Sequence, residues 1–434
     1  MSIKTIFLKF RDKNSNYNKS LIYVIADILN KILPFLMLPV ITYYLNPEDY
    51  GTLSVIESIS GILAVFVGLG SQDLIQVYFF KKGPSALKKF IGNSIVISFF
   101  NSILFFFIFL LFSKFFKDFF GLEMIWLTYA VILTFCLFII KICTSVLIAQ
   151  GKSILFGKFQ NLNTLTILIT TIIFIVVFKW NWQGRIYSLV ISGILFTIYS
   201  IFYLKKNELL EFKADYNNFL SDLKASIPIL PYSLSFWLSN GALLLIMASL
   251  IGKEQTGIYS GAMRIALIIS FITITLNRVW QPMIYDLLSR KNIDSDRTAV
   301  KRTYFYILII IFSCISLLLF SDFIIDVALN KSYHGAKEFS RILIITVALQ
   351  NIFSAPGGLL LYYERKKMLT LITMTSISIQ YSLIYFTYLN GILNLRVIIY
   401  IQLIIALFSF IFASLMVKRI TNLPWIVSST ETIK

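Results

Sequence analysis

Twelve long apolar runs, separated by short polar segments, set the pattern of this chain. The runs span about 21–45, 52–72, 90–112, 123–148, 158–178, 185–204, 225–250, 257–280, 303–321, 339–362, 369–389 and 396–417. Each is close to the ~20 residues that an α-helix needs to cross ~30 Å of hydrocarbon. The pattern therefore predicts an all-α polytopic membrane protein with about twelve transmembrane helices.

Positive charge is divided unevenly among the segments between these runs. Of the 39 Lys and Arg residues, 26 lie in the N-terminal arm, in every second segment and in the C-terminal tail, and only nine lie in the other six segments. Cytoplasmic loops collect Lys and Arg, so we expect both termini in the cytoplasm and the protein in the inner membrane. We attribute the net charge of +18 to topology and to the anionic inner leaflet, not to nucleic acid.

Composition and loop length narrow the functional classes. Apolar residues make up 58% of the chain and charged residues 14%, both far from the values of soluble domains. The longest segment between runs has about 20 residues, too few for a soluble domain. No loop carries a nucleotide-binding signature, and three cysteines with the single His334 offer no metal site. We therefore expect no metal, no enzyme activity, and a function carried out within the bilayer.

A short motif recurs in the two halves of the chain. The segment from Leu45 resembles the segment from Ile251, so that Glu48, Gly51 and Ser54 match Glu254, Gly257 and Ser260 at an offset of 206. Parallel repeats of this kind are known among transporters. We predict a six-helix half over 1–204, a cytoplasmic linker over 205–224 and a second half over 225–434, arranged around a central cavity. A duplicated scaffold without a transport role is the alternative.

Ionisable residues in the first half interrupt the apolar runs. A charge in hydrocarbon costs at least ~2.5–3.5 kcal/mol, so each should face a partner or a water-filled cavity. Asp27 and Lys31 share one helix face, where they could also form an internal ion pair. Glu57 lies on a stripe of small or polar residues in the second run, and Asp73 follows that run. Lys141 lies about two turns before a cytoplasmic end, from which its side chain could also reach the headgroups.

Two arginines in the eighth run are the strongest candidates for a substrate path. Arg264 and Arg278 are 14 residues apart, which places them on nearly the same helix face at depths that differ by about 21 Å. The planar guanidinium binds phosphate through two hydrogen bonds, so the pair could pass an anion across the membrane. The alternative is that both arginines form interhelical ion pairs with Glu57 and Asp73.

Prolines are concentrated in the first run of each predicted half. Pro34 and Pro39 lie in the first run, and Pro228 and Pro231 lie at the start of the seventh. Proline removes a backbone donor and can kink a helix. We therefore predict hinges at these four positions.

The segment 33–55 carries a resemblance to a known family. It holds Pro34, Pro39, the pair Asn46-Pro47 and Gly51, and it is similar to the N-terminal signature of the polysaccharide transporter family, the Wzx-type O-antigen and capsule repeat-unit flippases of the MOP exporter superfamily. The resemblance implies a bacterial protein that moves an undecaprenyl-pyrophosphate-linked oligosaccharide from the cytoplasmic to the periplasmic leaflet. It also implies membrane lipids, and a polymerase and chain-length regulator of the same pathway, as partners.

Residues and resemblance together predict alternating access through a polar, cationic cavity. Arg264, Arg278, Lys31 and Lys141 are the candidates for contact with phosphate and glycan. Asp27, Glu57 and Asp73 are the candidates for coupling to H⁺ or Na⁺, because carboxylates in a low dielectric titrate near neutral pH. Flipping that is driven by downstream polymerisation would need no coupling ion.

Two alternatives remain open at this point. A multidrug or other lipid exporter of the same superfamily would carry a cationic drug in an acidic cavity, whereas the runs hold four basic groups against three acidic ones. A membrane O-antigen polymerase or ligase would present a large outer loop with its catalytic residues, and no outer loop here exceeds about 18 residues.

Overall fold

A computed structural model of the chain describes residues 35–212, 216–333, 335–421 and 423–425. Within these ranges the chain forms α-helices with one π-helical and one 3₁₀ segment, and no β-strand. It divides into two compact units, one ending at Gly257 and the other beginning at Ile258. The predicted division into halves joined by a linker over 205–224 stays a prediction.

The first unit contains ten complete helices among the described residues. They are α1 (Leu38–Tyr44), α2 (Pro47–Gly68), α3 (Ser71–Lys81), α4 (Pro84–Leu111), α5 (Ser113–Phe120), α6 (Met124–Ala149), α7 (Ser153–Ile172), α8 (Asn181–Lys206), α9 (Tyr216–Ser226) and α10 (Leu230–Leu250). A π-helical segment, Ile173–Val177, extends α7, and a 3₁₀ turn, Ile227–Ile229, joins α9 to α10.

Helix α11 (Lys253–Ala266) begins in the first unit and ends in the second. The second unit continues with six helices among the residues described. They are α12 (Ile268–Ser289), α13 (Ile293–Ala328), α14 (Ala336–Ile352), α15 (Ser354–Tyr362), α16 (Lys366–Leu389) and α17 (Leu395–Ile420).

Eleven helical stretches of the described chain are long and apolar enough to cross a membrane. They correspond in order to the second through the twelfth apolar runs, so the all-α polytopic class is confirmed. The first run, 21–45, lies mostly outside the described residues. Several helices are longer than the runs predicted, because a spanning helix continues into the headgroup region. The segments 81–89 and 290–302, predicted as loops, are therefore mostly helical, within α3, α4 and α13.

Helices α2 and α6 form the centre of the first unit. Two thirds of the most apolar window of each is buried, against 17% for the stretch Ser153–Val177. Helix α6 packs against α2, α3, α4 and α8, and α10 packs along α2. The indole N–H of Trp237 donates to the Ser58 carbonyl (2.9 Å), and the Ser58 hydroxyl donates to the Gly241 carbonyl (2.6 Å). These two bonds fix α10 against the middle of α2.

Helix α14 forms the packed centre of the second unit, and α17 packs against it. The stretch Ala336–Tyr362 has 61% of its apolar window buried, whereas the long helix α13 has 17%. The hydroxyls of Ser376 on α16 and Ser409 on α17 form a hydrogen bond of 2.8 Å. The Tyr259 hydroxyl on α11 forms hydrogen bonds with the side-chain amide of Gln402 on α17. In lipid, no hydrophobic effect drives helices together, so hydrogen bonds of this kind add to van der Waals packing in holding them.

Candidate functional site

Asp73 and Lys141 form an ion pair inside the first unit. The Lys141 Nζ lies 3.5 Å from Oδ1 of Asp73, and about half of each side chain is exposed. Each residue lies eight positions before the C-terminal end of its helix, α3 and α6 respectively, about 12 Å along the helix axis. Two opposite charges at one depth partly offset the cost of burying either one in the membrane. From the sequence, Asp73 and Lys141 are separate candidates, and their pairing with each other is not predicted.

An interruption of the α2–α3 stretch positions Asp73. Leu69 and Gly70 both adopt left-handed backbone conformations, with φ of 48° and 75°. A Cβ atom on Gly68 would lie 2.6 Å from Cδ2 of Phe138, so this glycine allows α2 to approach α6 closely. Asp73 then falls in the first turn of α3, where the helix dipole favours a carboxylate. The Gln72 amide also donates to Oδ2 of Asp73 at 3.3 Å.

Each of the two central helices leaves one stripe open, and the charges lie on these stripes. On α2, Glu57 and Ala64 are exposed and Gly61 is half-buried, while on α6 Leu137 and Lys141 are exposed. The rest of both helices is mostly packed inside the unit. Hydrocarbon disfavours exposed charged side chains on a spanning helix. We therefore expect these charged stripes to contact water or a polar molecule.

Arg264 and Arg278 lie on consecutive helices of the described chain, α11 and α12, and both are exposed. Only Leu267 separates the helices, and its amide still donates to the Met263 carbonyl at 2.9 Å. The hydrogen-bond ladder is therefore nearly continuous, as the single predicted span requires. Further along, Pro282 lies inside α12 and cannot donate to the carbonyl of Arg278. This proline, which we did not predict as a hinge, is the best-placed kink candidate in α12.

A hydroxyl and amide network in the second unit lies one residue from Arg278. The Tyr306 hydroxyl lies 2.8 Å from Oδ1 of Asn277 and 2.6 Å from Oγ of Ser354. Trp280 stacks on the Tyr306 ring at 4.8 Å. The network ties α12 to α13 and to the start of α15, so it fixes the helix that presents Arg278. Sequence reasoning missed it because neutral polar residues in a span carry no charge signal.

Asp222 is a buried carboxylate that sequence reasoning also missed. It is 6% exposed and lies on α9, in the segment predicted as a cytoplasmic linker. Its Oδ1 accepts from the Tyr78 hydroxyl at 2.9 Å, and its Oδ2 accepts from the Asn93 amide at 2.8 Å. The carboxylate therefore attaches α9 to α3 and α4. Asp222 lies just before the seventh apolar run, where a charged residue is ordinary for a loop and gives no signal in the sequence.

The remaining predicted residues divide into described and undescribed positions. Asp27, Lys31, Pro34 and His334 lie outside the described residues.

Three of the predicted hinge prolines are described, and each lies at a helix start. Pro39 occupies the first turn of α1, Pro228 the 3₁₀ turn, and Pro231 the first turn of α10. Proline fits the first turn of a helix without a kink. Their role as hinges stays a prediction. In the part of the chain that the structure describes, no cluster of His, Cys, Asp and Glu could hold a metal ion.

The eleven apolar spans of the described chain define a multi-pass membrane protein. Residues 17–288, more than half of the chain, match the sequence model of a family described as polysaccharide biosynthesis protein. The chain belongs to this family.

One curated relative and two solved structures are similar to this chain over most of its length. A protein of the Lsg locus of Haemophilus influenzae is 21% identical over 371 residues, which cover 82% of this chain and 86% of the relative. A MATE-family multidrug resistance transporter in an inward-facing conformation superposes with a TM-score of 0.72 at 14% identity, over 90% of this chain and 95% of its own. A MOP superfamily transporter from Pyrococcus furiosus, described as having a binding pocket of reverse polarity, superposes with a TM-score of 0.62 at 15% identity, over 92% and 94%. At these identities the structures share the fold.

Proposed function

We propose that this transporter flips a lipid-linked oligosaccharide repeat unit, of O-antigen or capsule type, across the bacterial inner membrane. The observation that carries the proposal is the set of exposed charges inside spanning helices, with Lys141, Arg264 and Arg278 exceeding Glu57 and Asp73 in number. The match to a polysaccharide biosynthesis family supports a saccharide cargo. Both termini are proposed to face the cytoplasm.

The chemistry of the proposed cargo explains why its transporter would place charged residues inside spanning helices. A polyprenyl-pyrophosphate saccharide carries two phosphates and many hydroxyls, which cannot pass through hydrocarbon unaided. A guanidinium binds phosphate through two parallel hydrogen bonds at full charge, and hydroxyl and amide groups bind the glycan. The polyprenyl tail needs no polar path and would remain in lipid during transit.

Arg264 and Arg278 are the proposed phosphate contacts. Both are exposed, and a nearly continuous helical ladder holds them about 21 Å apart along α11 and α12. Alternating access would pass the pyrophosphate from one arginine to the other. Lys141 is a third proposed cation, and its pairing with Asp73 would let the carboxylate release it when a phosphate approaches.

Ion coupling is a separate part of the proposal. We propose that three carboxylates bind H⁺ or Na⁺. Glu57, on the open stripe of α2, and Asp73, on α3, lie among the described residues, and Asp27 is the third candidate. A coupled gradient would make transport directional, and a downstream polymerase that consumes the product would do so without one.

The test is binding and flipping of a pyrophosphate-linked saccharide by protein reconstituted in nanodiscs and vesicles. Replacing Arg264 or Arg278 with Lys keeps the charge and loses the planar fork, so affinity should fall partially. Replacement with Ala should abolish flipping and lower affinity at least about tenfold. The matched control is Arg396→Ala, which should change neither affinity nor flipping, because Arg396 is an exposed residue at the start of α17 in a pair with Glu338.

Two results would contradict the proposal. Undiminished binding by folded Arg264→Ala and Arg278→Ala variants would remove both arginines from the path. Transport of cationic drugs without any binding of the pyrophosphate lipid would favour the multidrug alternative. Each variant must first match the melting temperature of the parent protein, so that lost binding is not mistaken for lost folding.

A further inference from the structure

A wide-open surface cavity of the first unit has none of the charged residues described above in its lining. It has a volume of about 590 Å³ and is lined by Tyr129, Phe174, Trp180, Gln183, Tyr187 and Ile191. Small-molecule sites in proteins measure ~300–1,000 Å³, are mostly apolar and carry a few placed polar groups. The cavity fits this description, and the lining that the structure describes contains no charged side chain.

The backbone around the cavity is shaped in an uncommon way. Helix α7 ends in the π-helical segment Ile173–Val177, and Lys179 and Asn181 adopt left-handed conformations with φ of 56° and 37°. π-Helical turns and left-handed non-glycine residues cost energy and are frequent at functional sites. Here they fold the chain back so that the Trp180 amide donates to the Phe174 carbonyl at 2.9 Å.

This backbone places Trp180 between two other rings. Its indole stacks with Phe174 at 5.1 Å and 22°, and it meets the edge of Tyr187 at 5.6 Å. Tyr187 in turn contacts Tyr129 at 5.6 Å, nearly perpendicular to it. Gly184 allows the approach, because a Cβ atom there would lie 3.0 Å from Cβ of Phe174. The result is an aromatic wall that is held in one geometry.

Several polar groups of this lining make no hydrogen bond to any residue that the structure describes. They are the amide of Gln183, the hydroxyls of Tyr129 and Tyr187, and the indole N–H of Trp180. Together these groups supply donors and acceptors but no charge. A ligand that occupied the cavity without hydrogen bonds would leave them desolvated and unpaired, at a cost for each group.

We propose that this cavity is a binding site for a neutral pyranose sugar. One face of a pyranose ring presents C–H groups, which pack against the electron-rich face of an aromatic ring. Its edge presents hydroxyls, which both donate to and accept from amides and phenols. The aromatic wall matches the C–H face of the sugar ring, and the unpaired polar groups match its hydroxyl edge. An acyl chain or a quaternary ammonium ion matches only the wall.

The site surrounds the turn between the π-helical segment and α8, which is predicted to face the periplasm. It would hold a saccharide on the outer side of the membrane, either a free sugar or the glycan of a cargo molecule. Binding of soluble sugars does not depend on flipping, so this inference and the proposed transport function can fail separately.

The experiment measures binding of methyl glycosides of glucose, galactose and N-acetylglucosamine to the full chain in nanodiscs, by saturation-transfer NMR and calorimetry. At least one should bind with a Kd on the order of 1 mM. Trp180→Ala and Gln183→Leu should each weaken that binding about tenfold, and Trp180→Tyr should retain most of it. Phe119→Ala is the matched control and should leave affinity unchanged, because Phe119 is an exposed ring on α5 whose ring partners, Phe115 and Phe120, do not line the cavity.

Three outcomes would overturn the inference. One is that none of the glycosides binds to the parent protein. Another is that folded Trp180→Ala and Gln183→Leu bind the glycoside as tightly as the parent. The third is that tetramethylammonium, or a lipid that copurifies with the parent protein and not with Trp180→Ala, displaces the glycoside. That result would assign the cavity to a cation or a lipid instead.

Discussion

Gly51 and Gly257 contact each other's helix start in a reciprocal way. A Cβ atom on Gly51 would lie 1.9 Å from the carbonyl oxygen of Lys253, and one on Gly257 would lie 1.7 Å from the carbonyl oxygen of Pro47. The offset of 206 that relates the two copies of the motif carries Gly51 to Gly257 and Pro47 to Lys253. The contact is therefore reciprocal: the helix start of each motif copy lies against the glycine of the other.

We expect the two glycines to be equally intolerant of a side chain. Gly51→Ala and Gly257→Ala each place a methyl group against backbone that cannot rotate away, and overpacking of this kind costs about 1–3 kcal/mol. Thermal unfolding in detergent should show a lower Tm for both variants. Gly261→Ala is the control, since its Cβ would lie 3.4 Å from the nearest side chains, an ordinary contact. Equal Tm values for Gly51→Ala and Gly261→Ala would contradict the reciprocal packing.

The Asp73–Lys141 pair predicts a specific double-mutant result. Asp73→Asn and Lys141→Met should each lower stability, because each leaves the other charge without its partner inside a span. The double variant should recover part of the loss, with a coupling energy of about 0.5–1 kcal/mol for a half-exposed pair. Chemical unfolding of the four proteins measures the cycle. Additive losses would show that the 3.5 Å approach contributes no coupling.

Asp222 predicts a larger loss from a position outside the spans. Tyr78→Phe removes one hydrogen bond to a buried carboxylate and should cost about 1.5–3 kcal/mol. Asp222→Ala removes two such bonds and should cost more. The control is Asp286→Asn, which breaks an exposed pair with Arg290 worth about 0.2–0.5 kcal/mol. The measurement is the free energy of unfolding of each variant. If all three variants are as stable as the parent protein, Asp222 does not attach α9 to α3 and α4.

Neutralising Glu57 tests ion coupling directly. Glu57→Gln keeps the size of the side chain and removes its charge, so flipping should lose its response to an imposed pH or Na⁺ gradient while the protein remains abundant in the membrane. Initial flipping rates in vesicles, with and without the gradient, are the measurement. An unchanged response would remove Glu57 as a coupling site. A parallel fall in abundance would show a structural role.

The charge asymmetry predicts which side of the membrane each loop faces. In a background with the three native cysteines replaced by Ala, single cysteines at Lys82 and Asp294 should react with an impermeant thiol reagent only after the inner face is made accessible. Cysteines at Lys117 and Asn390 should react in intact cells. The reverse pattern would invert the proposed orientation, and a mixed pattern would contradict the alternation of loops.

The fold class could be read from the chain because the bilayer is a simple solvent. Runs of about 20 apolar residues must form helices there, since backbone groups have no other partners in hydrocarbon. The eleven spans found in the described residues follow the predicted order, and the motif at Gly51 and Gly257 was visible as a repeat. The helix ends were less predictable, because α3 and α13 continue past the apolar runs into polar sequence.

What the sequence could not supply was the partner of each polar group. Lys141 was equally consistent with a side chain that reaches the headgroups and with one that meets a carboxylate, and only the packing of α3 on α6 brought it to Asp73. Asp222 and the aromatic wall at Trp180 carried no signal in a hydropathy pattern. Hydrophobicity is set residue by residue and is therefore local, whereas an ion pair, a buried carboxylate and a cavity each depend on residues that are distant in the chain and adjacent only after the helices pack.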